Sequence, residues 1–180
     1  MKQWFALSAI GRDRPGIVAD LAELIYECDC NLEDSSMTIL GSEFAVLLLL
    51  SGEGPDLAQR LSSGCKRLEW EKRLTVFFRP LEHEPAHVPP HAGTPLECTV
   101  TGVDKAGIVA RVTRTLADHG VNVTDLRTEA RREPESGTPT YVMHIRMSIP
   151  PATRRGELQE RLERVAAELR VDVVLSEPVD

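Results

Sequence analysis

Aromatic residues are scarce: four Phe, two Trp and two Tyr make up only 4% of the 180 residues. Sheet surfaces that bind single-stranded nucleic acid stack bases on aromatic side chains of their central strands. The most apolar run, residues 44–50, is aliphatic after Phe44, which argues against that use. The same run is far too short to cross a bilayer. A basic surplus is also missing. With 21 Lys and Arg against 28 Asp and Glu, the net charge is −7 and the pI about 5.3. Non-specific nucleic-acid binding needs the opposite sign. The charges are interspersed, so no acidic tail stands out, and no DNA-binding helix-turn-helix is recognisable. Residues 1–7 run straight into Arg12, Asp13 and Arg14, which suits a strand better than a secretory signal.

Catalytic motifs are wanting too. Cys28, Cys30, Cys65 and Cys98 lie inside apolar patterns. Neither Cys65 nor Cys98 has a nearby histidine in a nucleophile motif. The thiols read as core residues of a protein in the reducing cytoplasm. The segment Gly11–Gly16 has the Gly-x-x-x-x-Gly spacing but lacks the Lys-Ser/Thr of a phosphate loop. His83, His87 and His91 have helical spacing, yet Pro85, Pro89 and Pro90 forbid the helix that would align them on a metal. The expectation is a protein without catalysis, cofactor or metal.

What the chain does contain is a repeat. Gly11-Arg12-Asp13-Arg14-Pro15-Gly16-Ile17-Val18 returns as Gly102-Val103-Asp104-Lys105-Ala106-Gly107-Ile108-Val109, at a constant spacing of 91 residues. The same spacing carries Asn31 onto Asn122 and Asp34 onto Asp125. Each copy follows an apolar run and opens an amphipathic one, so it reads as a strand, a turn and a helix start. Such a turn presents free backbone N–H groups and the positive end of a helix dipole, a setting for a carboxylate. Permission for a tight turn is the plainer reading of the glycines. Two copies in matching surroundings favour a binding turn, and they divide the chain into units at 1–80 and 95–180 around a Pro-rich linker at 81–94.

Periodicity fills in the units. Residues 3–10 form a strand, and Ile17, Val18, Leu21, Leu24, Ile25 and Cys28 mark the buried stripe of a helix. Strands at 33–40 and 43–51 meet at Gly41-Ser42, a hairpin signal. Leu57, Leu61, Cys65 and Leu68 mark a second helix despite Gly64, and 73–79 is a closing strand. The second unit repeats the order: a strand at 96–101, a helix with Ile108, Val109, Val112 and Leu116 inward and Gly120 at its end, and hairpin strands at 123–130 and 140–148. A helix carrying Leu158, Leu162, Val165 and Leu169 and a strand at 171–175 complete it. Its hairpin connection, 131–139, is the longer one. The fold class is α+β, two tandem ferredoxin-like βαββαβ units with antiparallel sheets backed by helices.

Asp-Arg-Pro-Gly-Ile-Val after the first strand, then Asn-Leu-Glu-Asp after the first helix, resembles the ACT domain, a small module that usually senses amino acids. The tandem pair without a catalytic domain is similar to the glycine cleavage system transcriptional repressor family. That resemblance implies a non-catalytic regulator with an amino-acid effector such as glycine or serine, and control of a protein partner such as a transcription activator. It implies no direct contact with nucleic acid or membrane. It also implies ligand-binding positions at Asp13, Arg14, Pro15, Gly16 and Ile17, at Asp104, Lys105, Ala106, Gly107 and Ile108, and at Asn31 and Asn122. If two units pair, the Gly16 turn would face Asn122 and the Gly107 turn would face Asn31. Pairing into a homo-oligomer is expected because open edge strands need cover. Simpler roles stay open: Asp13 and Asp104 as helix caps, and the two asparagines as residues of a bend. A ligand-free dimerisation scaffold, or a regulatory subunit of an amino-acid or one-carbon enzyme, is the alternative.

Overall fold

The computed structural model describes residues 1–85, 93–103, 106–132, 137 and 139–178. His87, His91, Pro89, Pro90, Asp104, Lys105 and the hairpin residues Glu133, Pro134, Glu135 and Ser136 lie outside the described residues. Two units divide between His87 and Val88. The first runs β1 (Gln3–Arg12), α1 (Ile17–Glu27), β2 (Cys30–Leu40), β3 (Glu43–Gly52), α2 (Leu57–Lys72) and β4 (Thr75–Leu81). The second runs β5 (Thr94–Val103), α3 (Ile108–Asp118), β6 (Asn122–Arg132), β7 (Pro139–Ile149), α4 (Arg155–Leu169) and β8 (Val171–Ser176). Both are α+β units with an antiparallel four-stranded sheet, ordered β2-β3-β1-β4 and β6-β7-β5-β8.

Alternation along the strands decides which face is covered. In β1, Phe5, Leu7 and Ala9 are buried, and their partners in β3 are Leu50, Leu48 and Val46, also buried. Ile17, Leu21, Leu24 and Ile25 of α1 join Leu57, Leu61, Cys65 and Leu68 of α2 over that face. Phe5 stacks on Phe78 with ring centroids 5.3 Å apart. The second core repeats this with Leu96, Cys98, Val100, Met143, Ile145 and Met147 under the helices. In each unit both of its helices lie on this one face of the sheet. Gly64 sits in α2 because a Cβ there would stand 2.0 Å from Leu24 Cδ1, so its absence brings the two helices together.

The repeat extends into irregularities. Both second strands carry a bulge at the same place, between Leu32 and Asp34 and between Val123 and Asp125. Some expected details shift. Val18 and Val109 face outward, at 56% and 38% exposure, because the residue after each helix-entry isoleucine points off the apolar stripe. Arg73 is the left-handed C-cap of α2, and β4 starts at Thr75. Pro80 lies in β4, an edge strand, where its missing N–H leaves no interior bond unmade. Thr94 and Pro95 already pair with Ile149 and Ser148.

Candidate functional site

The two glycines of the repeated turn are there for different reasons. Gly16 and Gly107 are the N-caps of α1 and α3, with φ of 91° and 95°, a left-handed conformation that side chains disfavour. Gly11 and Gly102 lie at the ends of β1 and β5. A Cβ on them would stand 2.6 Å from Leu74 Cδ2 and 2.7 Å from Val171 Cγ1, so each lets the last strand of its unit start close by.

Among the described residues no side chain caps either helix. Asp13 therefore does not cap α1; its side chain is exposed, and its backbone N–H donates to Ser42 O at 2.8 Å, tying the turn to the β2–β3 hairpin. The first intrahelical bond of α1 runs from Asp20 N–H to Gly16 O, and that of α3 from Arg111 N–H to Gly107 O. The amides preceding them in the first turn point out of the helix without a side-chain acceptor. Ile17 and Ile108 are buried to 2% and 1% exposure, so their side chains serve the core. Pro15 fits before the helix because it has no N–H to satisfy.

Charge at the first turn is set by three side chains. Arg14 Nη2 donates to Asp20 Oδ2 at 2.7 Å and Lys72 Nζ sits 2.9 Å from Asp20 Oδ1. Arg14 foremost, then Lys72, holds the Asp20 carboxyl below the ordinary carboxylate range. An anion approaching the turn meets a neutralised aspartate between two cations. The second copy differs, since its equivalent position is Arg111, which pairs with Glu168. Of the second turn, Ala106 and Gly107 are exposed.

Asn31 and Asn122 are not in the bends that end the helices. Those fall at Asp29 (φ 54°) and Gly120 (φ 67°). The asparagines belong to strands, Asn31 paired with Ser51 and Asn122 with Ser148. Ser51 and Ser148, at 0% and 7% exposure, are the buried polar side chains of the described residues. Ser51 and Ser148 each follow a core-facing residue, Leu50 and Met147, so pattern alone does not single them out. Ser51 Oγ donates to Glu33, which also meets Lys2 Nζ at 3.0 Å. The Ser51 hydroxyl and Lys2 keep the Glu33 carboxyl low. Lys2 in turn lies 4.5 Å over the Trp4 ring.

Register shows how far apart the two halves of the expected site lie within one unit. Asn31 pairs with Ser51, which pairs with Trp4, whereas the turn follows Arg12, paired with Glu43. Eight residues of strand separate these levels, about 26 Å. In the second unit Asn122 is level with Pro95 through Ser148, while Val103 pairs with Thr140 at the other end. A single unit therefore does not bring its turn and its asparagine together. A groove of about 590 Å³ lies between α1 and α2, beside Leu24, Cys28 and Arg60 and away from these residues.

Elsewhere the chemistry is quiet. Burial pushes the Cys65 and Cys98 thiols up to about 11, and Cys30 likewise. His119 Nδ1 lies 2.8 Å from Thr115 O and His144 Nδ1 lies 3.3 Å from Thr99 Oγ1. Among the described residues no three His, Cys, Asp or Glu side chains gather as a metal site, and no helix is long and apolar enough to cross a membrane.

Comparison with known proteins follows the same division. Models of the ACT domain match residues 3–79 and residues 97–167. The glycine cleavage system transcriptional repressor of Escherichia coli (strain K12) is 25% identical over 170 residues, which is 93% of this chain and 86% of that protein. The crystal structure of an unknown protein from Galdieria sulphuraria superposes with a TM-score of 0.75 at 31% identity, covering 99% of this chain and all of the other. A solved structure of a candidate glycine cleavage system transcriptional repressor gives 0.72 at 23% identity over 98% and 97% of the two chains, a likeness of fold. With both halves matched and the βαββαβ order present twice, the chain belongs to the ACT-domain family and carries two such domains in tandem.

Proposed function

We propose that this protein is a non-catalytic cytoplasmic regulator that senses an amino acid, glycine or serine foremost, and passes the signal to a protein partner such as a transcription activator. The observation that carries the reading is the left-handed glycine at a helix entrance, present twice, in a chain similar over 93% of its length to a transcriptional repressor. An amino acid needs N–H donors for its carboxylate and acceptors for its ammonium group. The first-turn amides behind Gly16 supply donors, and Arg14 and Lys72 keep Asp20 from repelling the carboxylate. Asn31 and Asn122 supply side-chain carbonyls. Each unit holds its turn and its asparagine at opposite ends of the sheet, so within one unit the two act as separate contact points. Asp104 and Lys105 belong to the second turn in this reading. The raised cysteine pKa values leave almost no thiolate at neutral pH, which speaks against a cysteine nucleophile.

The test is thermal unfolding against a panel of amino acids. A ligand at a hundred times its Kd adds about 2.7 kcal/mol to stability. A selective shift, lost in a folded N31A/N122A double variant, is the expected result. A ligand-free scaffold is the second reading, favoured by the exposure of Asp13, Pro15 and Gly16; it predicts no shift with any amino acid.

A further inference from the structure

The duplicated sheets differ most on their open faces. Across the second sheet the open rows read Asp125–Arg146–Glu97–Ser176, Arg127–His144–Thr99–Val174 and Glu129–Val142–Thr101–Asp172, polar but for Val174 and Val142. Ion pairs knit the first two together, with Arg146 Nε 2.9 Å from Glu97 and Arg127 Nε 3.3 Å from Asp125. Across the first sheet the rows read Asp34–Leu49–Ala6–Arg79, Ser36–Leu47–Ser8–Phe77 and Thr38–Ala45–Ile10–Thr75. Leu47 and Phe77 stand 58% and 65% exposed on either side of a shallow groove floored by Ala6 and Ser8, and Ile10 is 44% exposed.

We propose that this apolar face is covered by the same face of a second copy of the chain, related by a two-fold axis that runs parallel to the strands between β1 and β3. That operation lays β3 of each copy over β1 of the other, and β2 over β4. The order of side chains then complements itself. Leu49 falls over Ala6, Leu47 over Ser8, Ile10 over Ala45 and Phe77 over Ser36, large on small in each case. Asp34, at one end of its row, comes opposite Arg79, at the other end, twice per dimer. Aligned sheets pack about 10 Å apart and within about 30° of parallel, which preserves this register near the axis. Four strands spaced about 4.8 Å, over a seven-residue paired length, give a footprint of about 440 Å² per copy. The total of about 900 Å² lies just under the size of stable specific interfaces, so the dimer is a reversible one. The second face, charged and already self-paired, gives no such match. This inference does not rest on the amino-acid reading, and its readout is mass rather than ligand response.

Sedimentation velocity of the full chain, from low-micromolar to submillimolar concentration, tests it. The expected result is a reversible monomer–dimer equilibrium. Leu47→Asp weakens it by about 30-fold or more, as loss of a central anchor does. Asp34→Arg alone opposes two arginines to two arginines, and Arg79→Asp alone opposes two aspartates to two aspartates; each weakens self-association by about tenfold. Mixing the two variants restores dimerisation, because positions 34 and 79 then meet with opposite signs at both ends of the row. That rescue would not occur if the variants were misfolded. A monomer at every concentration overturns the proposal. So does a dimer indifferent to Leu47→Asp, or a mixture no tighter than its components.

Discussion

Replacing the helix-entry glycines by alanine separates backbone strain from crowding. An L-residue held at the Gly16 conformation, φ 91° and ψ −5°, costs about 1–2 kcal/mol. Alanine also stiffens the unfolded chain, which offsets about 0.4–1 kcal/mol. Crowding adds nothing, because a Cβ on Gly16 would lie 3.7 Å from Arg14 Nη1 and one on Gly107 would meet nothing within 4 Å. Gly16→Ala and Gly107→Ala should therefore each cost about 1 kcal/mol, a fall of about 4–8 °C in Tm for a unit of this size. Gly16→Asn should cost less, since asparagine enters the left-handed region more readily. The neighbouring pair behaves differently. At Gly11 the added methyl meets the end of Leu74, which can rotate; at Gly102 it meets Val171 Cγ1, Cβ and Cα, at 2.7, 3.1 and 3.2 Å. Gly102→Ala should then cost about 2–3 kcal/mol and Gly11→Ala about 1 kcal/mol. Urea unfolding of the four variants measures all of this. A neutral Gly16→Ala, or a Gly11→Ala worse than Gly102→Ala, would refute the reasoning.

Asp20→Asn should lower stability at neutral pH by about 1 kcal/mol, through loss of its bridges to Arg14 and Lys72. The Asp20 carboxyl is depressed in the folded state, so its contribution is complete above the unfolded value of about 3.9 and is lost as pH falls through the lower folded value. Chemical unfolding of wild type and variant should accordingly converge in acid; a gap that widens there would contradict the assignment. The buried thiols Cys28, Cys65 and Cys98 should resist alkylation at neutral pH in the native protein and react once it is unfolded. Fast native labelling of Cys98 would show that its strand is not where the burial places it.

Much of this architecture was readable in the sequence because the repeat could be compared with itself. The order βαββαβ, the hairpin at Gly41-Ser42, and the stripes Leu57–Leu61–Cys65–Leu68 and Leu158–Leu162–Leu169 follow from periodicity. Element ends were less legible. Pattern reading starts β2 at Glu33, but sheet pairing carries it back to Cys30, and no hydrophobic alternation marks Asn31 as strand. Val18 and Val109 are apolar without being buried, which composition cannot disclose. The turn was visible as glycine spacing, yet the reasons for the two glycines, φ at one and the approach of a distant strand at the other, depend on tertiary structure. The Lys72–Asp20 salt bridge joins residues from opposite ends of the first unit, and the pairing of Asn31 with buried Ser51 depends on a bulge. Neither has a local signature.

The separation of each turn from its own asparagine is testable by coupling. If a ligand bridged Gly16 and Asn31 of one unit, it would have to span about 26 Å of strand, several times the length of an amino acid. The two positions of one unit therefore do not hold the same molecule. With the amino acid that gives the largest thermal shift, the binding free energies of Gly16→Ala, Asn31→Ala and their combination should then add to within about 0.5 kcal/mol. Calorimetric titration reads the cycle, and the wild-type stoichiometry calibrates it. Coupling of about 1 kcal/mol or more between Gly16 and Asn31 would refute the separation while leaving amino-acid binding itself intact.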